Sequence, residues 1–383
     1  MEQINENDSF TYTDYCYRGW QAFGSFIPHW IGRAYWVVFW IIALSFLIAR
    51  LVAGRIPEPA ADLFELTGAY WMAAMEYFLI ILLAIDLVRL LDRLFHFIPR
   101  SARANPSAAL AAGVFTLLLV AVLIVCGRWT ALNPRITNYD VAIAKNAGAF
   151  KEIRIAMVSD IHLGEIVNSK NLEKMVGMIE QLEPDLIIFG GDIIDGDARP
   201  YLEQNMPEIL RRLRAPLGVF GVLGNHEYFG GISGSAEDCL KQGGITILRD
   251  NYVKIADSFY IAGREDKSST MAEGIQRKDL ASVLKGVDAS LPLILLDHQP
   301  TDLSEAQSQG ADLQLSGHTH RGQYFPNQLI TDRIFEVNWG YLRKGNLNVI
   351  VSSGFGTWGP PIRLWNYPEL VQITLRFTDR KYL

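Results

Sequence analysis

Five short clusters hold the residues of this 383-residue chain best suited to chemistry. In order they read Ser159-Asp160-Ile161-His162-Leu163-Gly164, Gly190-Gly191-Asp192-Ile193-Ile194-Asp195, Gly224-Asn225-His226-Glu227, Asp297-His298-Gln299-Pro300 and Gly317-His318-Thr319-His320. Carboxylate and amide oxygens mix here with imidazoles, and no thiolate joins them. That donor set suits Mn, Fe, Zn or Co rather than Ca or a thiolate-type structural zinc site. At the end of an extended chain, residues i and i+2 point to the same side, so Asp160/His162 and His318/His320 can each reach one cation. Glycines beside the donors allow sharp turns and close backbone approach. Asp160, His162, Asp192, Asn225, His298, His318 and His320 are too many donors for one tetrahedral ion. They suit two cations about 3.5–4 Å apart that share one carboxylate, as in two-metal hydrolases.

Such clusters need elements that bring their loops together. From about residue 150, short apolar runs alternate with helical stretches: Ile153–Val158 then Asn171–Leu182, Leu186–Phe189 then Tyr201–Leu213, and Gly218–Leu223 then Ala236–Lys241. Further strands are expected at Tyr252–Ile255, Phe259–Ala262, Leu291–Leu296, Leu313–Leu315, Asn348–Val351 and Val371–Leu375. Strand–helix alternation is the mark of a sheet covered by helices. The later strands follow without long helices between them, so the expected fold is α/β, a two-sheet β-sandwich flanked by helices. His162, His226, His298, His318 and His320 each fall where an expected strand ends. Loops at strand C-termini converge on the ligand site in layered α/β folds.

Residues 1–130 read differently. Apolar residues form 50% of the chain and charged ones 20%, which excludes a disordered protein and directs attention to where the apolar excess lies. Three stretches, about 34–53, 70–91 and 108–126, approach the roughly 20 residues needed to cross a bilayer. The first opens on Tyr35, Trp36 and Trp40, as in an interfacial aromatic belt. The second carries Glu76, Asp86 and Arg89, with Asp86 spaced to pair with Arg89. The acidic start (Glu2, Glu6, Asp8) argues against a cleaved signal peptide and for an uncleaved anchor. Residues 10–30 are aromatic and suit either a headgroup-level segment or a surface loop. Arg89, Arg93, Arg100 and Arg103 follow the second stretch, whereas Arg55 stands among Glu58, Asp62 and Glu65. The positive-inside rule then makes this a multi-pass protein of the bacterial inner or plasma membrane, with residues 151–383 outside the cytoplasm and 131–150 as a connector. The whole net charge of −6 belongs to the second segment, the wrong sign for a nucleic-acid binder. Cys16, Cys126 and Cys239 are too few and too scattered for a disulfide framework.

The five clusters together resemble the calcineurin-like metallophosphoesterase superfamily, with its pattern D-x-H, G-D-x-x-D, G-N-H-E, H, G-H-x-H, over roughly residues 150–383. The tail Ser352-Ser353-Gly354-Phe355-Gly356, Pro360-Pro361-Ile362-Arg363 and Pro368-Glu369 is similar to the membrane-tethered bacterial YkuE/YaeI-type branch. The resemblance implies two divalent ions, Mn²⁺, Zn²⁺ or Fe²⁺. Asp160, His162, Asp192 and His320 would hold one; Asp192, Asn225, His298 and His318 would hold the other, with Asp192 as the bridge. It also implies that His226 faces the substrate and that Asp195 orients it. Arg321 departs from the branch, which often has glycine there, and is a candidate contact for a substrate anion. Glu227 reads as a loop or helix-cap residue. The implied activity is hydrolysis of a phosphodiester or pyrophosphate by a hydroxide shared between the metals. Asn225 would hold phosphate oxygens and His226 would assist the leaving group. An anchor favours a membrane- or envelope-associated substrate, a lipid-linked phosphate ester among them. Trp339, Trp358 and Trp365 are candidates either for a lipid-facing surface or for the core. The alternatives are a UDP-2,3-diacylglucosamine pyrophosphatase-like enzyme of lipid A synthesis and a non-catalytic metal-binding receptor or scaffold. A third, a transporter or channel, finds few polar residues in the spans.

Overall fold

The computed structural model describes residues 29–52, 56–99 and 106–378. It divides into two compact units, Met1–Cys126 and Gly127–Leu383. Most of the aromatic segment 10–30 (residues 10–28), and Arg55, Arg100 and Arg103 of the topology argument, lie outside the described residues.

Three helices account for the described part of the first unit: α1 (His29–Val52), α2 (Glu58–Phe95) and α3 (Pro106–Ala131), the last running on into the second unit. Small residues on α2, Ala69 and Ala73, are fully buried, and Phe39 of α1 meets Trp71 of α2 edge-on at 5.4 Å. Among the described residues one helix is long and apolar enough to cross a bilayer, the 22-residue Leu110–Ala131; Arg33–Ala49 is apolar but shorter. That is one such helix against the three expected. The second expected span is the middle of a 38-residue helix whose apolar face is broken by charge, with Asp86 and Arg89 paired at 3.5 Å.

The second unit holds the strands, in chain order β1 (Arg135–Ile143), β2 (Glu152–Val158), β3 (Leu186–Phe189), β4 (Val219–Gly221), β5 (Thr246–Ile247), β6 (Asn251–Ile255), β7 (Phe259–Gly263), β8 (Leu293–Leu296), β9 (Leu313–Ser316), β10 (Gly340–Lys344), β11 (Leu347–Val351) and β12 (Glu369–Phe377). They form two mixed six-stranded sheets, ordered β1-β12-β2-β3-β4-β5 and β10-β11-β9-β8-β7-β6. Period-two alternation lets each sheet bury both faces. Ile155, Met157 and Ile188 of the first sheet pack with Ile261, Ile294, Leu313 and Ile350 of the second in a shared inner core. Ala156, Val158, Ile187 and Phe189 point the other way, onto Leu172, Met175 and Val176 of the helix Ser169–Leu182. On the outer face of the second sheet, Ala262, Leu295 and Val349 meet Leu280 and Leu303. The architecture is therefore a two-sheet sandwich with helices outside.

β2, β3 and β4 run parallel, as do β8 and β9. Their C-terminal ends deliver the five clusters into one region. Two local expectations need correction. The connector 131–150 contains β1, which pairs in parallel with β12 over nine residues and buries Val141 and Ile143. Its alternation is masked because the outward positions include Asn138 and Asp140, as suits an edge strand. The expected helix Tyr201–Leu213 is two helices, Arg199–Glu203 and Met206–Leu210. Asn205 between them takes a left-handed conformation (φ 54°), and Pro207 lacks the N–H that a continuous helix would need.

After β4 the chain enters the short helix Asn225–Phe229, where Glu227 acts as its cap. The fully buried Glu227 carboxylate accepts N–H bonds from Gly224 at 2.8 Å, Ile193 at 2.6 Å and Ile194 at 2.9 Å. It thereby joins the loops after β3 and β4. Glu227→Ala leaves three buried N–H groups without an acceptor, and each costs about 1–3 kcal/mol. Chemical denaturation is expected to show a loss of about 3 kcal/mol or more for Ala and a smaller one for Gln, which keeps an acceptor. Equal losses would remove the hydrogen-bonding explanation. For β1, a chain beginning at Gly127 is expected to melt about 10 °C above one beginning at Lys151, since burial of Val141 and Ile143 is lost from the shorter form. Matching melting temperatures would make β1 dispensable.

Candidate metal centre

The side chains at the strand ends form three groups of converging donor atoms: Asp160, His162 and His320; Asp192, His298 and His318; and His162, Asp195 and His226, each set within 4.8 Å. Nε2 of His162 lies 3.0 Å from Nε2 of His320, which is 3.5 Å from Asp160 Oδ1. Asp192 stands between the first two groups, with Oδ2 3.3 Å from His298 Nε2 and 3.8 Å from His162 Nε2. Asn225 Oδ1 lies 2.7 Å from His318 Nδ1. All seven residues expected as ligands on sequence grounds are thus brought together.

Local backbone geometry aims them. Asp160, His162, Asp192, His318 and His320 all take positive φ, between 47° and 72°. Left-handed backbone is costly for residues other than glycine and is kept where surrounding structure enforces it. Here main-chain bonds do so: Asp192 O accepts the N–H groups of Ile161 (2.9 Å) and His162 (3.0 Å). The carboxylates are pinned too. Asp160 Oδ1 accepts the His318 N–H at 2.8 Å and Asp192 Oδ1 that of His226 at 2.9 Å. Gly317 makes the approach possible, because a Cβ there would fall 1.9 Å from Ser159 Oγ and 2.1 Å from Asp160 Oδ2.

The donors fit divalent cations. His298 Nδ1 donates to the Gly190 carbonyl oxygen at 2.8 Å, so Nε2, buried and without a hydrogen-bond partner, is the atom left to face a cation once deprotonated. A second-atom bond of this kind fixes the tautomer of metal-binding histidines. Opposed imidazole nitrogens beside buried carboxylates are what a cation would reconcile.

His226 is oriented separately. Its Nδ1 lies 2.8 Å from Asp195 Oδ1, and its ring meets Trp358 edge-on, 5.6 Å between centroids. Burial pushes the Asp192 carboxyl up, but the nearby imidazole of His298, then those of His162 and His226, hold it well below the usual range. Burial likewise pushes Asp195 up and is outweighed by its bonds to His162 and His226, which lower it. For His226, burial lowers the imidazole, and the bond to Asp195 and the charge of Asp192 more than offset that, so it is raised. His298 is raised well above its ordinary value, its burial overcome by Asp192. Burial and then the charge of His162 hold His320 well below its ordinary value. Burial and His298 lower His318. Burial and the neighbouring Asp192 push Glu227 up to about 7.

Arg321, next to His320, stacks its guanidinium 4.0 Å over the Trp339 ring. Two neighbours of the centre are given no role in the sequence reading, although Arg363 stands in the tail that carries the resemblance. Arg363, fully buried, donates to the carbonyl oxygens of Gly354 (3.2 Å) and Gly356 (2.7 Å) and stands 3.2 Å from His320 Nδ1. Its signal was a lone arginine in the apolar run Pro360-Pro361-Ile362-Arg363-Leu364. Arg277 forks onto Asp297, next to His298, at 2.6 and 3.1 Å.

Comparison with known proteins agrees with the geometry. The calcineurin-like phosphoesterase family matches residues 153–322. A metallophosphoesterase of Aquifex aeolicus (strain VF5) is 39% identical over 230 residues, 59% of this chain and 85% of that one. The metallophosphoesterase YkuE of Bacillus subtilis (strain 168) is 31% identical over 238 residues, 60% of this chain and 81% of its own. A transmembrane protein with metallophosphoesterase domain from Danio rerio is 27% identical over 332 residues, 81% of this chain and 75% of that one. Matched donors, matched order and these relatives lead to one conclusion: the chain belongs to the calcineurin-like metallophosphoesterases and is a metal-dependent phosphoric ester hydrolase.

Proposed function

We propose that the chain is a membrane-anchored phosphoesterase that cleaves a phosphodiester or pyrophosphate of a membrane- or envelope-associated substrate. The observation that carries the catalytic part is the position of the Asp192 carboxylate between two sets of donors, 3.3 Å from His298 Nε2 and 3.8 Å from His162 Nε2. Asp160, His162, Asp192 and His320 would hold one divalent ion, and Asp192, Asn225, His298 and His318 the other. When bound, two such ions supply a nucleophilic water at neutral pH and offset phosphate charge.

The chain's own groups do the rest. Asn225 Oδ1 is turned to His318, which leaves its amide nitrogen able to donate to a phosphate oxygen. Asp195 accepts from His226 Nδ1 and so turns Nε2 away from itself. A His226 held protonated by Asp195 can give its Nε2 proton to the departing oxygen. Arg321, whose guanidinium stacks on Trp339, is the further candidate contact for a substrate anion.

Anchoring is supported by the apolar helix Leu110–Ala131 and by a relative named as a transmembrane protein. We place the membrane region in the first unit and the catalytic domain, β1 included, in residues 127–383. The arginine asymmetry favours the outer side of the membrane for that domain.

The test uses the full-length chain, stripped of metal and titrated with Mn²⁺, Zn²⁺, Fe²⁺ or Mg²⁺, on a chromogenic phosphodiester and a phosphomonoester. Asp192→Asn is expected to lose metal binding and turnover together. His226→Ala is expected to keep the metals and lose about 10²–10⁴-fold in kcat. Two bound ions with no turnover of either ester by the parent would favour the non-catalytic scaffold.

A further inference from the structure

One surface of the catalytic unit is more apolar than folding requires. The helix Gln328–Ile334 buries none of its side chains and exposes Leu329, Ile330 and Ile334, the last at 66%. Trp365, also 66% exposed, packs on Phe325 with 5.1 Å between ring centroids. The Leu364 carbonyl oxygen accepts both the Phe325 N–H at 3.2 Å and Gln328 Nε2 at 3.0 Å. Helix and tryptophan loop are thereby one surface. Beneath it the buried Gln323 accepts the Trp358 N–H at 2.8 Å and so ties the same segment to Trp358, 56% exposed and edge-on to His226. An exposed patch of contiguous large apolar side chains marks an interaction surface.

What covers it is indicated by the residue where the catalytic unit begins. Gly127 is the first residue of that unit. Its carbonyl accepts the Arg363 N–H at 2.9 Å, and a Cβ on it would lie 2.9 Å from Ile362 Cβ and 3.3 Å from Leu364 Cγ. Uncharged from Pro106 to Gly127, the helix then meets Arg128 and the 71% exposed Trp129, a basic and aromatic pair typical of the membrane–water boundary. At about 1.5 Å per residue, Gly127 lies within a turn of that boundary. Leu364 touches Gly127, and Trp365 follows it directly.

We propose that Phe325, Leu329, Ile330, Ile334 and Trp365 sit in the headgroup layer of the bilayer, and that the substrate is a lipid phosphate ester whose tails stay in that bilayer while its phosphate passes Trp358 to reach His226. This rests on the anchored reading above. Amphipathic surfaces bind membranes in this way, with the apolar face at the headgroup–acyl boundary. Trp358 would meet the region of the lipid nearest the phosphate.

The test uses the full chain with its native cysteines replaced by alanine and one reporter cysteine carrying an environment-sensitive fluorophore. The protein is reconstituted in vesicles of phosphatidylcholine and phosphatidylglycerol with nitroxide-labelled lipid. Reporters are Val122→Cys in the proposed span, Ile330→Cys and Trp365→Cys on the patch, and Asp257→Cys in the β6–β7 turn. That turn lies at the opposite end of β7 from the edge that delivers His298. Quenching at 122, 330 and 365 but not at 257 is expected. Quenching at 122 alone overturns the docking surface while leaving the anchor, and a second copy of the chain then becomes the better occupant. Absence of quenching at 122 overturns the anchor and the proposal with it. Quenching at 257 as well overturns a defined surface. In the same vesicles, Ile330→Ser with Ile334→Ser is expected to lower kcat/KM on an embedded long-chain p-nitrophenyl phosphodiester about tenfold or more. Turnover of a short, water-soluble diester should be unchanged. Equal loss on both substrates, or on neither, overturns the proposal.

Discussion

The Asp192 carboxylate is the point on which the centre turns. It is buried, 2% exposed, and a buried charge is tolerated only when paired and hydrogen-bonded. Oδ1 accepts a main-chain N–H from the loop after β4, while Oδ2 faces imidazoles from the loops after β2 and β8. Its main-chain oxygen holds the first cluster in place. Three strand ends are therefore tied to one carboxyl group. Glu227 reinforces this from behind, since its three N–H bonds fix Ile193 and Ile194, the residues directly after Asp192. Two acids so near each other would repel, and the backbone donors and surrounding imidazoles are what hold them together.

Such a centre is strained by construction. Five candidate ligands in left-handed backbone each cost about 1–3 kcal/mol, which a small isolated loop could not sustain. The two sheets supply the necessary rigidity: β2, β3, β8 and β9 are buried along nearly their whole length, so the loops leave from ends that do not move. Pre-organisation of this kind is how rigid elements hold a reactive constellation.

The chemistry was legible in the sequence because ligand types at strand ends are a local signal. Asp160-x-His162 and His318-x-His320 need only two residues' separation to be read, and the apolar runs before them mark β2 and β9. The parts that escaped are those whose meaning lies in distant contacts. β1 mixes Asn138, Asp140 and Thr137 with its inward Val141 and Ile143, so only its pairing with β12 makes it a strand. The same holds for β10, with Arg343 and Lys344 in a five-residue edge strand. The charge of Arg321 is legible in the sequence, but its stacking over the Trp339 ring, 18 residues on, is not. Arg363 stands 43 residues from His320 in sequence, beyond the reach of any spacing argument. In the first unit, α2 continues through Glu76, Asp86 and Arg89 because helix formation does not depend on where an apolar window ends.

The segment 354–366 joins features that the sequence presents as separate. Arg363 reaches His320 Nδ1 and the carbonyl oxygens of Gly354 and Gly356, while its own N–H binds Gly127. Asn366 donates to the His320 carbonyl oxygen, and Gln323 clasps Trp358 and Pro360. Burial lowers the Arg363 guanidinium to about 10, which still leaves it charged at neutral pH and bound to its acceptors. One buried cation thus connects the orientation of a candidate ligand to the last turn of the apolar helix. A displacement of that turn would pull on the Arg363 main chain, and the guanidinium could follow only by giving up carbonyl oxygens buried with it. Because leaving a buried donor unpaired is expensive, Arg363 holds the Gly127 carbonyl, the Gly354 and Gly356 carbonyls and the His320 ring in register within the second unit.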